Sequence, residues 1–159
     1  MNKYKIEIKW GIIFVVMTIL WMTMEKLTGL HDVNIEKHAT VTNLIFFPAI
    51  ITYVLALLDK KKNFYNGTMS YKQGFISGVI ISVVVALFSP ITQYLTSVII
   101  SPDYFANAIE YAVETEAQTR EEAQNFFNLN NYILVSFIGS LIMGIMTAAI
   151  VALFTKSKK

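Results

Sequence analysis

The sequence has 159 residues; 55% are hydrophobic and 15% are charged, against about 25% charged residues in a typical soluble domain. The hydrophobic residues fall into four blocks, which makes a soluble enzyme a poor fit and predicts an integral membrane protein. The chain has no cysteine, so disulfides, thiolate catalysis and cysteine-bound metal centres are excluded.

The four hydrophobic blocks predict four membrane-spanning helices, because a bilayer core takes about 20 mostly apolar residues in a helix. The predicted spans cover residues 10–24, 41–58, 74–100 and 132–154, and the whole chain is predicted to be one membrane domain. Lysines precede the first block, as in a signal peptide, but no small-residue cleavage site follows it, so we expect an uncleaved span. Pro90 is expected to kink the third span.

Charge is distributed unequally between the segments that join these spans. The two terminal tails and the loop between the second and third spans carry ten basic and two acidic residues, whereas the other two loops carry three basic and nine acidic residues. Lys and Arg accumulate on the cytoplasmic side of membranes. Both termini and the Lys60–Lys62 run are therefore predicted to be cytoplasmic, facing anionic lipid headgroups. Nucleic acid is not an expected partner, because these lysines lack a structured surface of their own.

The loop between the third and fourth spans, residues 101–131, is too long for a plain connection and predicts two short amphipathic helices. Ser101 followed by Pro102 predicts an N-cap and a first helical position. Thr119 and Glu122 form a capping-box pattern that starts the second helix. These helices either form a lid over the bundle or, through their acidic surface, dock a membrane protein partner or a second copy.

Small residues at four-residue spacing predict close packing of the third and fourth spans, because small side chains let two backbones approach in lipid. The predicted packing positions are Gly74, Gly78, Ser82, Ser136, Ser140 and Gly144. We expect Gly78 to contact the fourth span near Ser140 and Gly144. Intramolecular packing and a homodimer seam both fit this pattern.

The sequence lacks the charged groups and motifs that coupled transport or enzymatic activity would need. The third and fourth spans contain no acidic or basic side chain, which argues against a pump or a coupled transporter. No nucleophile elbow, metalloprotease motif, P-loop or dinucleotide glycine pattern occurs in the sequence. We therefore predict that the protein is not an enzyme, with no catalytic residue, no cofactor and no metal site.

Five residues near the first loop have side chains that are able to bind metal. Glu25 lies at the edge of the first span, where we expect it to be interfacial and solvated. His31, Asp32, Glu36 and His38 follow it, but their spacing fits no standard metal site. A solvated loop is the favoured interpretation.

Polar but uncharged residues occur within the second and third spans. Asn43 lies in the second span, and Ser89, Thr92 and Gln93 surround Pro90 in the third. They either bond neighbouring helices, as such residues usually do, or line a small polar cavity. Two functions are consistent with these features: a non-catalytic structural or accessory subunit, or an oligomeric small channel or uncoupled transporter.

Three short strings carry a family resemblance: GTMSYKQGF at residues 67–75, PDY at 102–104 and TREEA at 119–123. With four spans and a Lys-rich C-terminus, the chain resembles the bacterial domain-of-unknown-function 4199 family over nearly its whole length. The resemblance implies a four-span protein of the bacterial inner membrane and carries over no activity or functional residue. The predicted fold is an all-α, four-helix membrane bundle with two short amphipathic helices.

Overall fold

The computed structural model describes residues 3–157, and this part of the chain folds into helices without a strand. Four helices are long and apolar enough to cross a membrane. They cover Lys5–Leu27, Ile35–Asn63, Tyr71–Ile100 and Leu129–Thr155. The all-α fold class and the four spanning helices are therefore confirmed.

Two of the long helices are composite, and two short helices separate the third from the fourth. In chain order the elements are α1 (Lys5–Leu27), α2 (Ile35–Val41), a 3-10 turn (Thr42–Ile45), α3 (Phe46–Asn63), α4 (Tyr71–Tyr94), a π-helix (Leu95–Ile100), α5 (Tyr104–Glu114), α6 (Arg120–Phe126) and α7 (Leu129–Thr155). The second long helix thus joins α2 to α3 through the 3-10 turn, and the third joins α4 to the π-helix.

Of the two helix starts predicted between the third and fourth spanning helices, the structure confirms one. The predicted capping box is present: Thr119 Oγ1 accepts from the Glu122 N–H, and the Glu122 carboxylate accepts from the Thr119 N–H at 2.9 Å. The predicted cap at Ser101 is wrong, because α5 begins at Tyr104 with Asp103 at the N-cap position. The Ser101 side chain is instead buried against His31.

All four spanning helices are longer than the predicted spans, and in the first three charged residues lie in the added turns. The prediction for the first span, residues 10–24, stopped at charged neighbours that in fact lie inside α1. Glu7 there pairs with Lys60 of α3, with Nζ 2.8 Å from Oε1, and Lys9 pairs with Asp59. A charge that finds its partner on a neighbouring helix does not have to end the helix that carries it.

α4 passes through Pro90 as one continuous helix. Proline has no N–H and leaves the carbonyl four residues earlier, that of Ala86, without its helical donor. The Ser89 hydroxyl donates to that carbonyl at 2.8 Å and so supplies the missing hydrogen bond. Beyond Tyr94 the helix widens into the π-helix, which a bond from Ser101 N to Thr96 O at 2.8 Å closes.

The most extensive helix contact among the described residues lies between α4 and α7. A Cβ added to Gly78 would clash with the Ala148 methyl and lie 3.1 Å from the Ala148 Cα. One helical turn away, a Cβ added to Gly74 would lie 3.4 Å from the Ala152 Cβ. Backbone therefore approaches backbone along this seam, which only small residues allow.

The register of the seam differs from the expected one. Gly78 lies opposite Ala148 rather than near Ser140 and Gly144. Gly144 instead faces Ser82, since a Cβ added to it would lie 2.6 Å from the serine Oγ. The spacing of small residues indicates which faces of two helices are in contact. It does not fix the register, because shifting one helix by a whole turn brings another small residue to the same place.

We expect Gly78→Ile to lower the melting temperature in mild detergent by roughly 2–12 °C, which corresponds to an overpacking cost of about 1–3 kcal/mol. The larger side chain has no room against Ala148 and must push the two helices apart. Membrane insertion should be unaffected, because Ile is as apolar as lipid requires. Thermal unfolding followed by circular dichroism measures the change.

Val79→Ile is the matched control, because its position lies about 100° around the same helix. It should melt within error of the wild type. If Gly78→Ile also melts like the wild type, the seam between α4 and α7 is not a stabilising contact.

Candidate functional site

A cavity of about 570 Å³ lies among the four spanning helices. Each of α1, α3, α4 and α7 contributes to its wall, and so do the 3-10 turn and the π-helix. The described lining residues are Phe14, Val15, Thr18, Met22, Asn43, Ile45, Phe46, Ala49, Tyr53, Val85, Ser89, Thr92, Gln93, Thr96, Ser136, Ser140, Met143, Gly144 and Thr147. We call this space the central cavity.

Asn43 and Gln93 both line the central cavity, and each also bonds a neighbouring group. The Asn43 amide donates to the Ala39 carbonyl at 2.6 Å, and the Gln93 amide donates to the Ser97 hydroxyl at 2.7 Å. Each amide has two donor hydrogens and a carbonyl oxygen with two lone pairs. Asn43 and Gln93 therefore do both things that the sequence left open: they make hydrogen bonds and they line a cavity.

The predicted packing positions divide between the seam and the central cavity. Ser136, Ser140 and Gly144 of α7 all line the cavity, and the two serine hydroxyls donate to carbonyls of their own helix. Next to Gly144, the Tyr53 hydroxyl lies 2.8 Å from Ser82 Oγ, and Ser82 also donates to the Gly78 carbonyl at 2.9 Å. The cavity therefore begins beside the contact between Gly144 of α7 and Ser82 of α4.

The composition of the wall limits what the central cavity can hold. The lining is mostly apolar, with hydroxyl and amide groups at intervals, and none of the described lining residues is charged. Its volume lies within the range of about 300–1,000 Å³ that is typical of small-molecule sites. The arrangement matches an amphipathic molecule with an uncharged polar end.

A second feature, which we call the histidine cluster, consists of Glu25, His31 and His38. Glu25 is fully buried, and the Nε2 atoms of His31 and His38 lie 3.1 and 3.4 Å from its Oε2. The Trp21 indole N–H donates to the other carboxylate oxygen, Oε1. The expectation of a solvated Glu25 and a solvated loop is therefore wrong at these positions.

The turn after α1 brings the loop back over the end of its own helix. Gly29 sits at φ +74°, where an L side chain is strained, and its carbonyl accepts from the Asn34 N–H at 2.8 Å. The His31 carbonyl accepts from the Asn107 amide of α5 at 2.9 Å, and Ser101 Oγ lies 3.0 Å from His31 Nδ1. Three chain segments thus hold this histidine in place.

The other two metal-binding candidates of the loop point elsewhere. Asp32 lies 2.8 Å from the Lys26 ammonium, and this hydrogen bond lowers the pKa of the Asp32 carboxyl. Glu36 lies 3.5 Å from Lys37 in an exposed pair. Of the four loop residues, only His31 and His38 belong to the histidine cluster, and its carboxylate comes from Glu25 instead of Asp32 or Glu36.

Tyr104 covers the histidine cluster from the segment that follows the third spanning helix. Its ring centroid lies 5.0 Å from that of His31 and 5.2 Å from that of His38. Burial raises the pKa of the Tyr104 phenol well above its ordinary value, and the neighbouring Tyr132 adds to the effect. No local spacing links position 104 to the loop, so sequence reasoning had no signal for this contact.

A family model described as a protein of unknown function (DUF4199) matches residues 9–157. The chain belongs to this family. Comparison with curated proteins and with solved structures gives no match. Membership of DUF4199 confirms the resemblance carried by the three strings and assigns no activity.

This DUF4199 chain also buries an ion pair at the end of the bundle where the described chain begins and ends. The side chains of Glu7 and Lys60 are 2% and 3% exposed. Glu7 accepts from the Ser77 hydroxyl at 2.9 Å, and Lys60 donates to the Lys3 carbonyl at 2.7 Å and lies 3.7 Å from the Phe64 ring centroid. The pair is satisfied on every side and joins α1, α3 and α4, which indicates a structural role.

We expect Glu7→Gln to lower the free energy of unfolding by about 3–5 kcal/mol, because it leaves the Lys60 charge buried without its partner. The double variant Glu7→Leu with Lys60→Met should recover much of this loss, since it removes both charges together. Unfolding of the purified protein in mixed micelles with increasing SDS measures both. Lys37→Gln, at the exposed pair, is the control and should change stability little.

Proposed function

We propose that this protein is a non-catalytic, multi-pass protein of the bacterial inner membrane that holds a lipid-like molecule in its central cavity. The cavity is the observation that carries the proposal, because it is large, mostly apolar and ringed by uncharged polar groups. Such a wall suits an acyl or isoprenoid chain that ends in a hydroxyl or amide group. With the ligand bound, the protein serves as a structural or accessory subunit.

The proposed orientation rests on charge. The terminal tails and the Lys60–Lys62 run carry the basic excess, which favours the cytoplasmic side for both termini. Two of the lysines counted in the C-terminal tail, Lys158 and Lys159, lie outside the described residues. In this orientation the histidine cluster and α5 and α6 face the opposite side of the membrane.

The proposed partner surface is formed by α5 and α6. Acidic residues dominate this segment: Asp103, Glu110, Glu114, Glu116, Glu121 and Glu122. Arg120 pairs with Glu110 at 2.7 Å, which lowers the pKa of that carboxyl. The resulting surface would attract a membrane protein with a basic surface. A homodimer formed through the same two helices is the alternative. No nucleic acid and no cofactor enters the proposal.

We expect Ser140→Phe to reduce the amount of lipid-like molecule that copurifies with the protein by about fivefold or more. The phenyl ring would occupy part of the central cavity, which Ser140 lines, and so exclude an acyl chain. The measurement is native mass spectrometry of the protein in mild detergent, followed by extraction and quantification of bound molecules per chain.

Gly139→Phe is the matched control, because it adds the same side chain one residue earlier. A Cβ at Gly139 meets no atom within 4 Å, and this position does not line the cavity. The control should retain as much ligand as the wild type. Equal retention in Ser140→Phe, or no bound molecule in the wild type, contradicts the proposal.

The second candidate function is a small channel or uncoupled transporter, oligomeric in its working form. It is favoured by the position of Asn43 and Gln93 in the cavity wall. On this hypothesis, purified protein in liposomes should conduct a small solute, and Asn43→Leu and Gln93→Leu should reduce the flux severalfold. If the flux does not exceed that of empty liposomes, the channel hypothesis is rejected and ligand binding stays the proposed function.

A further inference from the structure

The three side chains of the histidine cluster converge on a small volume. One ligand atom from each of Glu25, His31 and His38 lies within 4.8 Å of the others. The Nε2 atoms of His31 and His38 lie 3.1 and 3.4 Å from Glu25 Oε2. Around a tetrahedral Zn²⁺ with bonds of 2.0–2.1 Å, neighbouring ligand atoms lie about 3.3–3.5 Å apart. The two separations from Glu25 therefore match those around a bound ion, and the two histidine atoms, within 4.8 Å of each other, would close around it.

The surroundings of the cluster orient its ligand atoms. Trp21 donates to Oε1 of Glu25 and leaves Oε2 to face the histidines. Ser101 Oγ lies beside Nδ1 of His31 and can accept its proton, which leaves a lone pair on Nε2. Metal-bound histidines are commonly held in this way, with the distal ring nitrogen donating to an oxygen. A lone pair of His31 and one of the Glu25 carboxylate then face the same space, and His38 Nε2 lies 3.4 Å from the same carboxylate oxygen. A cation placed there would be stabilised by these groups.

The cluster also has an entrance. A second cavity, of about 540 Å³, is lined by His38 and Tyr104 together with residues of α2 and α5. The His38 side chain is 19% exposed, whereas Glu25 and His31 are buried. An ion would thus enter past His38, and a water molecule or a ligand group could occupy the fourth coordination position from the same side.

We propose that Glu25, His31 and His38 form a zinc-class divalent metal site. Two imidazole nitrogens and one carboxylate oxygen are a donor set that zinc accepts, with one position left open. The site depends on none of the residues that line the central cavity. Its ion would tie the end of α1 to the start of the second spanning helix and to the loop between them.

The experiment uses full-length protein without a histidine tag, stripped of metal with a chelator and kept in mild detergent. Titration with ZnCl₂ in a calorimeter should give one Zn²⁺ per chain. His38→Gln should weaken binding about tenfold or more, because it removes a ligand from the exposed side of the site. Ser101→Ala should weaken binding by about 10–100-fold, the range for lost outer-shell partners.

Glu36→Gln is the matched control, since it neutralises an exposed carboxylate two residues before His38 and should leave zinc affinity unchanged. Absorption of the Co²⁺-loaded wild type gives a test that needs no variant. An intense visible spectrum typical of tetrahedral cobalt supports the site. A stoichiometry well below one, a weak octahedral spectrum, or equal affinity in the wild type and His38→Gln overturns it.

Discussion

The contact between α4 and α7 is made by backbone as much as by side chains, and the rest of the bundle is arranged around it. Gly78 and Ala148 bring the two helices so close that no larger residue fits between them. Tyr53 of α3 reaches this seam and closes it with a hydrogen bond to Ser82. In lipid, where apolar side chains gain little by leaving the solvent, such close approach supplies much of the attraction between helices.

The same seam explains why the central cavity exists. Toward the chain termini the space between α3, α4 and α7 is filled by Leu57, Met69 and Ile81, which are all buried. Beyond Gly144 the small residues of α7 continue as Ser140 and Ser136, and both line the central cavity. Small residues that bring helices together at one level thus leave room at the next.

The sequence was sufficient for the elements that depend on local chemistry. Four apolar blocks predicted four spanning helices, and the Thr119 and Glu122 pair predicted the start of α6. The predicted bounds of the first three spans are too short, because charged residues continue those helices. Glu7 and Asp59 lie inside helices, where they pair with Lys60 and Lys9 from a different part of the chain, and no local pattern shows these partners.

The site residues show the same division between local and distant information. The sequence singled out His31 and His38 for their chemistry and Asn43 and Gln93 for their position in apolar spans. It gave no reason to join the two histidines to Glu25, because the loop first has to turn at Gly29 and fold back. A contact between residues on the two sides of a turn can be recognised only when the conformation of the turn is known.

The ionic contacts between α1 and α3 have a consequence for how the chain enters the bilayer during synthesis. α1 emerges from the ribosome before α3 and carries Glu7 and Lys9 when Asp59 and Lys60 have not yet been made. Inserted alone, it would hold its charged end at the headgroup level, since charge at depth is costly. Arrival of α3 neutralises both groups, so we expect α1 to reach its final depth only as part of a helical hairpin, after the second spanning helix has been translated.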